Sequence, residues 1–434
     1  MIALGEVMDY RAVVGGDRRM RDVVGVARER GMILDGHCPN LSGADLSAYL
    51  ATGVDSDHTK NRTEVVLEKA RLGMLMMLQE KCLLPEVAEA LLALPTLPPF
   101  CLVTDDLAAD HILAHGHLDH IARVAVRAGF PAEVVLRALT WNPAQRLRLY
   151  DRGVVAPGKR ADLVLLRGEL AAFDPAVVLS GGRVVARDGA AVYEETSPGP
   201  ADAAAHHDGG AVDHAEHHSD AAPLTGTVDV EPQHPDGFRW HVELPDGTHR
   251  FRAMRVNSRD TYTEEAEVEL PVRGGEVDWE GRATLVRVRN RYGRAGTVFA
   301  PLLGRTLSAG AVATTYAHDS HNLVTIGTSR AAMAAAADAV VADGGGVAVA
   351  HGAEVAARLP LPVGGVMSPA AAPEIAWRSE EVRTALTAWG WDHLNPFMSV
   401  STLTLAVSPS LKITDRSLVD VVRREPVGAL LSEG

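Results

Sequence analysis

The strongest constraint on this chain is a repeated alternation in its first third. Short apolar runs at Ile2–Leu4, Met32–Leu34, from Val54, at Met74–Leu78 and at Phe100–Val103 are separated by amphipathic segments at Asp17–Arg30, Ser42–Ala51, Thr63–Arg71 and Pro85–Leu92. Ser42 followed by Asp45 reads as a capping-box start. Regular alternation of this kind predicts βα units and a parallel sheet, open or closed into a barrel. In a barrel, chemistry collects where strands end and the following loops begin. Glu6, His37, His58 and Asp105 all fall at such ends, within Gly5-Glu6, Asp35-Gly36-His37, Asp57-His58 and Thr104-Asp105-Asp106. One Glu, two His and an Asp form a donor set suited to a hard or borderline metal ion.

Five such runs fall short of the eight strands of a closed barrel, so either the barrel is open or its first three units are absent. Helices are expected at Leu118–Ala128 and Pro131–Leu139, with a short one beginning near Thr140. Pro157-Gly158 forces a turn, and apolar runs at 163–166, 177–179, 183–185 and 190–192 read as short strands. Residues 196–224 are rich in Ala, Asp, Gly and His and read as a linker. Its His206, His207, His214, His217 and His218 are weak metal-binding candidates. Beyond it, strand-like runs at Phe238–Leu244, Phe251–Val256, Ala266–Leu270 and Ala283–Val288 precede helices at Arg330–Ala342 and near Glu380–Ala388 and a strand at Val347–Ala350. Asp246-Gly247 reads as a hairpin turn. The domains expected are 1–143, 144–195, the linker 196–224, and 225–434.

Composition excludes several functions. With 42 Lys and Arg against 56 Asp and Glu, the net charge of −14 argues against a nucleic-acid partner, which needs a basic footprint. Three cysteines cannot build a disulfide framework and suit a reducing compartment. No run of about 18 apolar residues suggests a membrane span. The expectation is a cytoplasmic chain with no membrane partner.

The strings Leu4-Gly5-Glu6-Val7-Met8-Asp9, Asp35-Gly36-His37-Cys38-Pro39, Ser56-Asp57-His58, Arg71-Leu72-Gly73-Met74 and Val103-Thr104-Asp105-Asp106 resemble the barrel motifs of adenine deaminases, in the amidohydrolase superfamily. Gly116-His117-Leu118-Asp119-His120 and Asn142-Pro143-Ala144 continue the likeness. In the C-terminal part, Ala317-His318-Asp319-Ser320-His321-Asn322, Asn395-Pro396-Phe397-Met398 and Leu411-Lys412-Ile413-Thr414-Asp415-Arg416 are similar to the family's own C-terminal domain. The family carries a His-x-His pair after its first barrel strand, and no such pair precedes Glu6.

The resemblance implies an α/β fold: a partial (β/α)8 metal-dependent hydrolase barrel lacking its first units, a small β-rich appendage, and a C-terminal α+β domain. It implies hydrolytic deamination of adenine to hypoxanthine and ammonia, as in purine salvage, by a homo-oligomer. The alternatives are an aminohydrolase for another purine-like heterocycle, or a truncated paralogue that binds without turnover. The cofactor implied is a binuclear divalent metal centre, manganese first and iron or zinc next. Glu6 would bridge the metals, His37 and His58 would bind one of them, and Asp105 would ligate and shuttle protons; Glu6 and Asp105 are thus the catalytic pair. Asp106, His117, His120, His318 and His321 are candidates for lining the site.

Overall fold

The computed structural model describes residues 2–192, 224–258, 261–393 and 395–431. The candidate linker and its five histidines therefore lie outside the described residues, apart from Leu224. The chain forms two compact units, Met1–Leu107 with Ala114–His214, and Ala108–Leu113 with Ala215–Gly434.

In the first unit, strands β1 (Ala3–Val7), β2 (Ile33–Gly36), β3 (Ser56–Asp57), β4 (Leu75–Leu78) and β5 (Phe100–Leu102) alternate with helices. The helices are α1 (Tyr10–Val14), α2 (Arg18–Glu29), α3 (Gly43–Ala51), α4 (Thr63–Arg71) and α5 (Pro85–Leu92). β1 pairs in parallel with β2, and β3, β4 and β5 form a second parallel ladder. A backbone bond from Asp55 N–H to Leu34 O (3.4 Å) continues the row from β2 towards β3. Parallel strands covered by helices bury both faces, which is why Phe100, Cys101 and Leu102 are all buried. Ser42 precedes α3 as expected, but its side chain makes no capping hydrogen bond there. Helix α6 (Ala109–His115) comes next in the chain, its residues up to Leu113 grouped with the second unit, and α7 (Leu118–Arg127), α8 (Ala132–Leu139) and α9 (Trp141–Arg146) follow. Then β6 (Leu163–Arg167), β7 (Asp174–Ser180), β8 (Arg183–Arg187) and β9 (Ala190–Ala191) form an antiparallel sheet in that order.

The second unit is built on a nine-stranded sheet. Its strands are β10 (Gly247–Val256), β11 (Thr263–Arg273), β12 (Glu276–Val277), β13 (Thr284–Arg289), β14 (Thr297–Gly304), β15 (Ala311–Thr314), β16 (Leu323–Gly327), β17 (Gly346–His351) and β18 (Glu354–Pro360). They lie in the order β12-β11-β10-β14-β13-β16-β15-β17-β18. Side chains alternate between two cores. Val312, Val347 and Val349 share one with Val382 and Leu386 of α11 (Ala372–Ala388). Ala311, Ala313, Ala348 and Ala350 share the other with Ala332, Ala336 and Val340 of α10 (Arg330–Ala342). Small residues on both sides let the Ala-rich helix lie close to the sheet. A short helix α12 (Pro396–Ser401) and the three-stranded sheet β19 (Leu411–Ile413), β20 (Leu418–Asp420) and β21 (Glu425–Val427) complete the unit.

Two expectations fail here. Phe238–Leu244 is not a strand: Pro235–Phe238 is a 3-10 turn and only His241 makes a bridge, to Glu276. Asp246-Gly247 therefore joins no hairpin; the Asp246 carboxylate instead accepts the Gly274 N–H at 2.6 Å. Both Phe238 and Trp240 are buried, so their apolar character reflects core packing rather than sheet pairing.

Candidate metal centre

Glu6 lies near the end of β1, His37 directly follows β2, and His58 directly follows β3. Parallel neighbours place these ends side by side. Gly36 sharpens the approach, because a Cβ there would lie 2.3 Å from the Ser56 carbonyl oxygen. The result is close convergence. His37 Nδ1 lies 2.9 Å from Glu6 Oε2 and 3.2 Å from His58 Nε2, and His58 Nε2 is 3.6 Å from the same carboxylate oxygen. All three donor atoms fall within 4.8 Å of one another. Lone pairs of two imidazoles and a carboxylate aimed at one point repel unless a proton or cation sits among them. The Glu6 carboxyl lies below its usual range, chiefly through its hydrogen bond with His37; burial opposes this, the charges of His58 and His37 assist, and Asp106 opposes.

The loops carrying these donors are tied from behind. Tyr49 of α3 is fully buried; its hydroxyl donates to Val7 O at 2.6 Å and accepts His37 N–H at 3.3 Å. Burial pushes its phenol upward, so it stays a neutral donor. Lys69 of α4 and Asp57 of β3 form an ion pair of 2.8 Å with both side chains wholly buried. Lys69 Nζ spends all three donors: on Asp57, on the Cys38 carbonyl (2.6 Å) and on Asn61 Oδ1 (2.8 Å). Asp57 accepts from Cys38 N–H, Thr59 and Asn61. Burial alone would raise the Asp57 pKa, but Lys69 and these donors bring it below its usual value. Cys38 adjoins His37 and Asp57 adjoins His58, so one network sets the spacing of the two imidazoles. Arg146 of α9 adds a second tie through Asp35 (2.7 Å) and Asp55 (2.6 Å).

Asp105 is not among the converging donors. It follows β5 with a left-handed backbone (φ 60°). Its Oδ2 accepts from Gln79 Nε2 at 2.5 Å and lies 3.8 Å from Lys81 Nζ.

Comparison with known proteins gives this geometry a family. Residues 1–185 match the amidohydrolase family, and residues 260–425 match the adenine deaminase C-terminal domain. Adenine deaminase 2 of Shouchella clausii is 37% identical over 435 residues, covering 99% of this chain and 72% of that protein. The chain belongs to the adenine deaminase family. Another relative, the adenine deaminase of Clostridium perfringens (strain ATCC 13124), is 36% identical over 97% of this chain and 72% of its own length. A solved N-acetylglucosamine-6-phosphate deacetylase from Pasteurella multocida overlaps 39% of this chain and 55% of its own at 15% identity, with a TM-score of 0.33.

The remaining candidates of this family member are spread more widely. Asp106 is exposed, yet near enough to Glu6 for its charge to act there. His117 precedes α7, its N–H donating to Asp119 at 2.8 Å, and His120 on α7 meets Glu80 at 3.1 Å. His318 and His321 belong to the second unit. The His318 carbonyl accepts from Thr404 Oγ1 at 2.5 Å, its ring packs edge-on to Tyr316, and His321 Nδ1 accepts the Ala317 N–H at 3.3 Å. Burial, with His318 and Arg291 nearby, lowers the His321 pKa. Sequence reasoning missed Tyr49, Lys69, Asn61, Gln79 and Arg146. Lys69 alone left a signal, a cation on the inward stripe of α4 beside Val66 and Ala70. Cys38, next to His37, is no nucleophile: burial pushes its thiol up to about 12.

Proposed function

We propose that the chain hydrolyses adenine to hypoxanthine and ammonia, with Glu6, His37 and His58 holding a divalent metal. The observation that carries this reading is the convergence of a carboxylate and two imidazoles on one point in a member of the adenine deaminase family. The donor set fits the group, since one carboxylate and two imidazoles leave positions open for water, as catalytic sites require. Oxygen and imidazole donors suit manganese first, then iron or zinc, and a second ion bridged by Glu6 would complete a binuclear centre. A bound divalent metal supplies positive charge that acidifies water.

The protein's own groups do the rest. Tyr49 and the Asp57–Lys69 network hold the imidazoles at fixed spacing, so little reorganisation accompanies the reaction. Asp105 takes the water proton as a C–O bond forms at the ring carbon bearing the amino group. It then returns that proton to the amine as the C–N bond breaks and ammonia leaves. In this reading the five parallel strands are a segment of a (β/α)8 barrel, residues 144–195 a small β-rich domain and 225–434 a C-terminal domain, and the setting is cytoplasmic purine salvage.

Incubating the chain with Mn²⁺ and adenine should release ammonia and hypoxanthine in equal amounts. Asp105→Asn should lower turnover by about 10²–10⁴-fold, the usual scale for a general acid–base group. Wild-type turnover by Asp105→Asn would remove the residue from the shuttle role, and no hypoxanthine from the wild-type chain would overturn the reading.

A further inference from the structure

Gln79 sits immediately after β4, between the strands that lead to His58 and to Asp105, and is 3% exposed. Its side-chain NH₂ carries two hydrogens, and both are used. One goes to the His58 carbonyl oxygen at 2.9 Å, the other to Asp105 Oδ2 at 2.5 Å. The orientation of the amide is not arbitrary. Turned over, it would set its own oxygen against a carbonyl and a carboxylate, three acceptors with no donor among them.

Asp105 needs such support. Its φ of 60° lies in the left-handed region, uncommon for non-glycine residues although Asp enters it more readily than most, and such positions cluster at functional sites. Lys81, 3.8 Å from the same carboxylate oxygen, is more than half exposed and is a weak restraint. Gln79 is buried, short and donates at close range.

We propose that Gln79 is the positioning residue of this site: it fixes the Asp105 carboxylate relative to the backbone of the His58 loop. The proposal rests on the reading of Asp105 and His58 given above. Gln79 touches neither water nor substrate in this role; it acts through Asp105 and His58. Its amide therefore takes the part that a carboxylate or carbonyl takes behind many metal ligands, with the sense of the hydrogen bond reversed.

The test compares the full chain with Gln79→Met, Gln79→Glu and Asp105→Asn. Gln79→Met keeps the volume and removes both donors; Gln79→Glu sets a second carboxylate against the two acceptor oxygens. Mn²⁺ alone is titrated calorimetrically, backbone hydrogen exchange is followed over residues 103–107, and kcat and KM for adenine are measured separately. Gln79→Met should weaken Mn²⁺ binding and lower kcat by about 10–100-fold, the usual cost of losing a partner behind a metal ligand. Exchange at 103–107 should quicken, while KM for adenine stays within about threefold and the thermal midpoint nearly constant. Gln79→Glu should be worse on each count. Wild-type exchange at 103–107 in Gln79→Met would overturn the proposal, as would a lowered thermal midpoint with unchanged Mn²⁺ affinity and kcat. Failure of the underlying reading looks different: Asp105→Asn would itself turn over adenine like wild type.

Discussion

Lys69 of the first unit and Arg287 of the second are buried in opposite ways. In the first, Lys69 is wholly buried and every donor on its ammonium has an acceptor, with Asp57 as counter-ion. In the second, Arg287 of β13 is 2% exposed; its Nη2 reaches Gln233 at 3.0 Å, while Nε and Nη1 find no hydrogen-bond partner among the described residues. Its guanidinium lies over the Phe238 ring, 4.3 Å from the centroid, and burial together with Arg289 pushes its pKa down to about 10. His393 in the same unit stacks on Trp391 at 4.8 Å and gives Nε2 to the Arg305 carbonyl at 3.0 Å. A cation held by directed bonds fixes the groups around it. One laid on an aromatic face fills space and tolerates sliding. The directed arrangement is the one found behind His37 and His58.

That contrast can be broken by experiment. The largest effect should come from Lys69→Met, which leaves Asp57 buried without its counter-ion and should destabilise the fold by about 3–5 kcal/mol. Removing both charges in Asp57→Asn/Lys69→Met should recover much of that stability, because a neutral buried pair needs no desolvation of ions. Denaturant midpoints read both. Should Lys69→Met cost less than about 1 kcal/mol, the network would not be what holds the two loops.

Arg287→Met should be far milder, within about 1 kcal/mol of wild type and of either sign, since a partly unpaired guanidinium is exchanged for apolar volume. A loss as large as that of Lys69→Met would erase the contrast between the two side chains.

The smallest effect concerns pH. Burial lowers the His393 pKa; the hydrogen bond to the Arg305 carbonyl and the charge of Asp392 oppose this, and the charge of Arg305 assists. A base whose folded pKa is depressed is refused its proton in the folded state while the unfolded chain accepts it. Stability contributed by neutral His393 is thus fully present above about pH 6.5 and declines as pH falls towards the folded pKa. His393→Phe, which keeps the stack on Trp391, should flatten the fall in unfolding free energy between about pH 7 and pH 5. An unchanged slope would assign it to other groups.

Where local signals suffice, sequence and structure agree closely. Thr63–Arg71 and Pro85–Leu92 are helices over the expected residues, since an apolar stripe at helical spacing and Pro85 at the first turn mark them. The first-unit strands fall within three residues of their apolar runs. The second unit was harder. Strands β14, β15 and β16 went unseen, because strands of a sheet packed on both faces lose the polar–apolar alternation that marks them; the largely exposed edge strand β18 and the short β12, β19, β20 and β21 were missed as well. At the site, the strand-end argument brought Glu6, His37 and His58 to one place, as the structure does, while Asp105 lies outside that trio and meets the His58 loop through Gln79.

By itself, then, the sequence determined which residues could serve as donors, because parallel strands deliver whatever follows them to a common edge. It also determined the family, through strings spread along the whole chain. Only the tertiary structure decided how those donors are held. Tyr49 and Gln79 lie 12 and 21 residues from the His37 and His58 groups they bind, and Arg146 lies 111 from Asp35. Hydrogen bonds across such separations leave no periodic trace in a sequence, since they depend on where loops and helices come to rest against the sheet rather than on any local pattern.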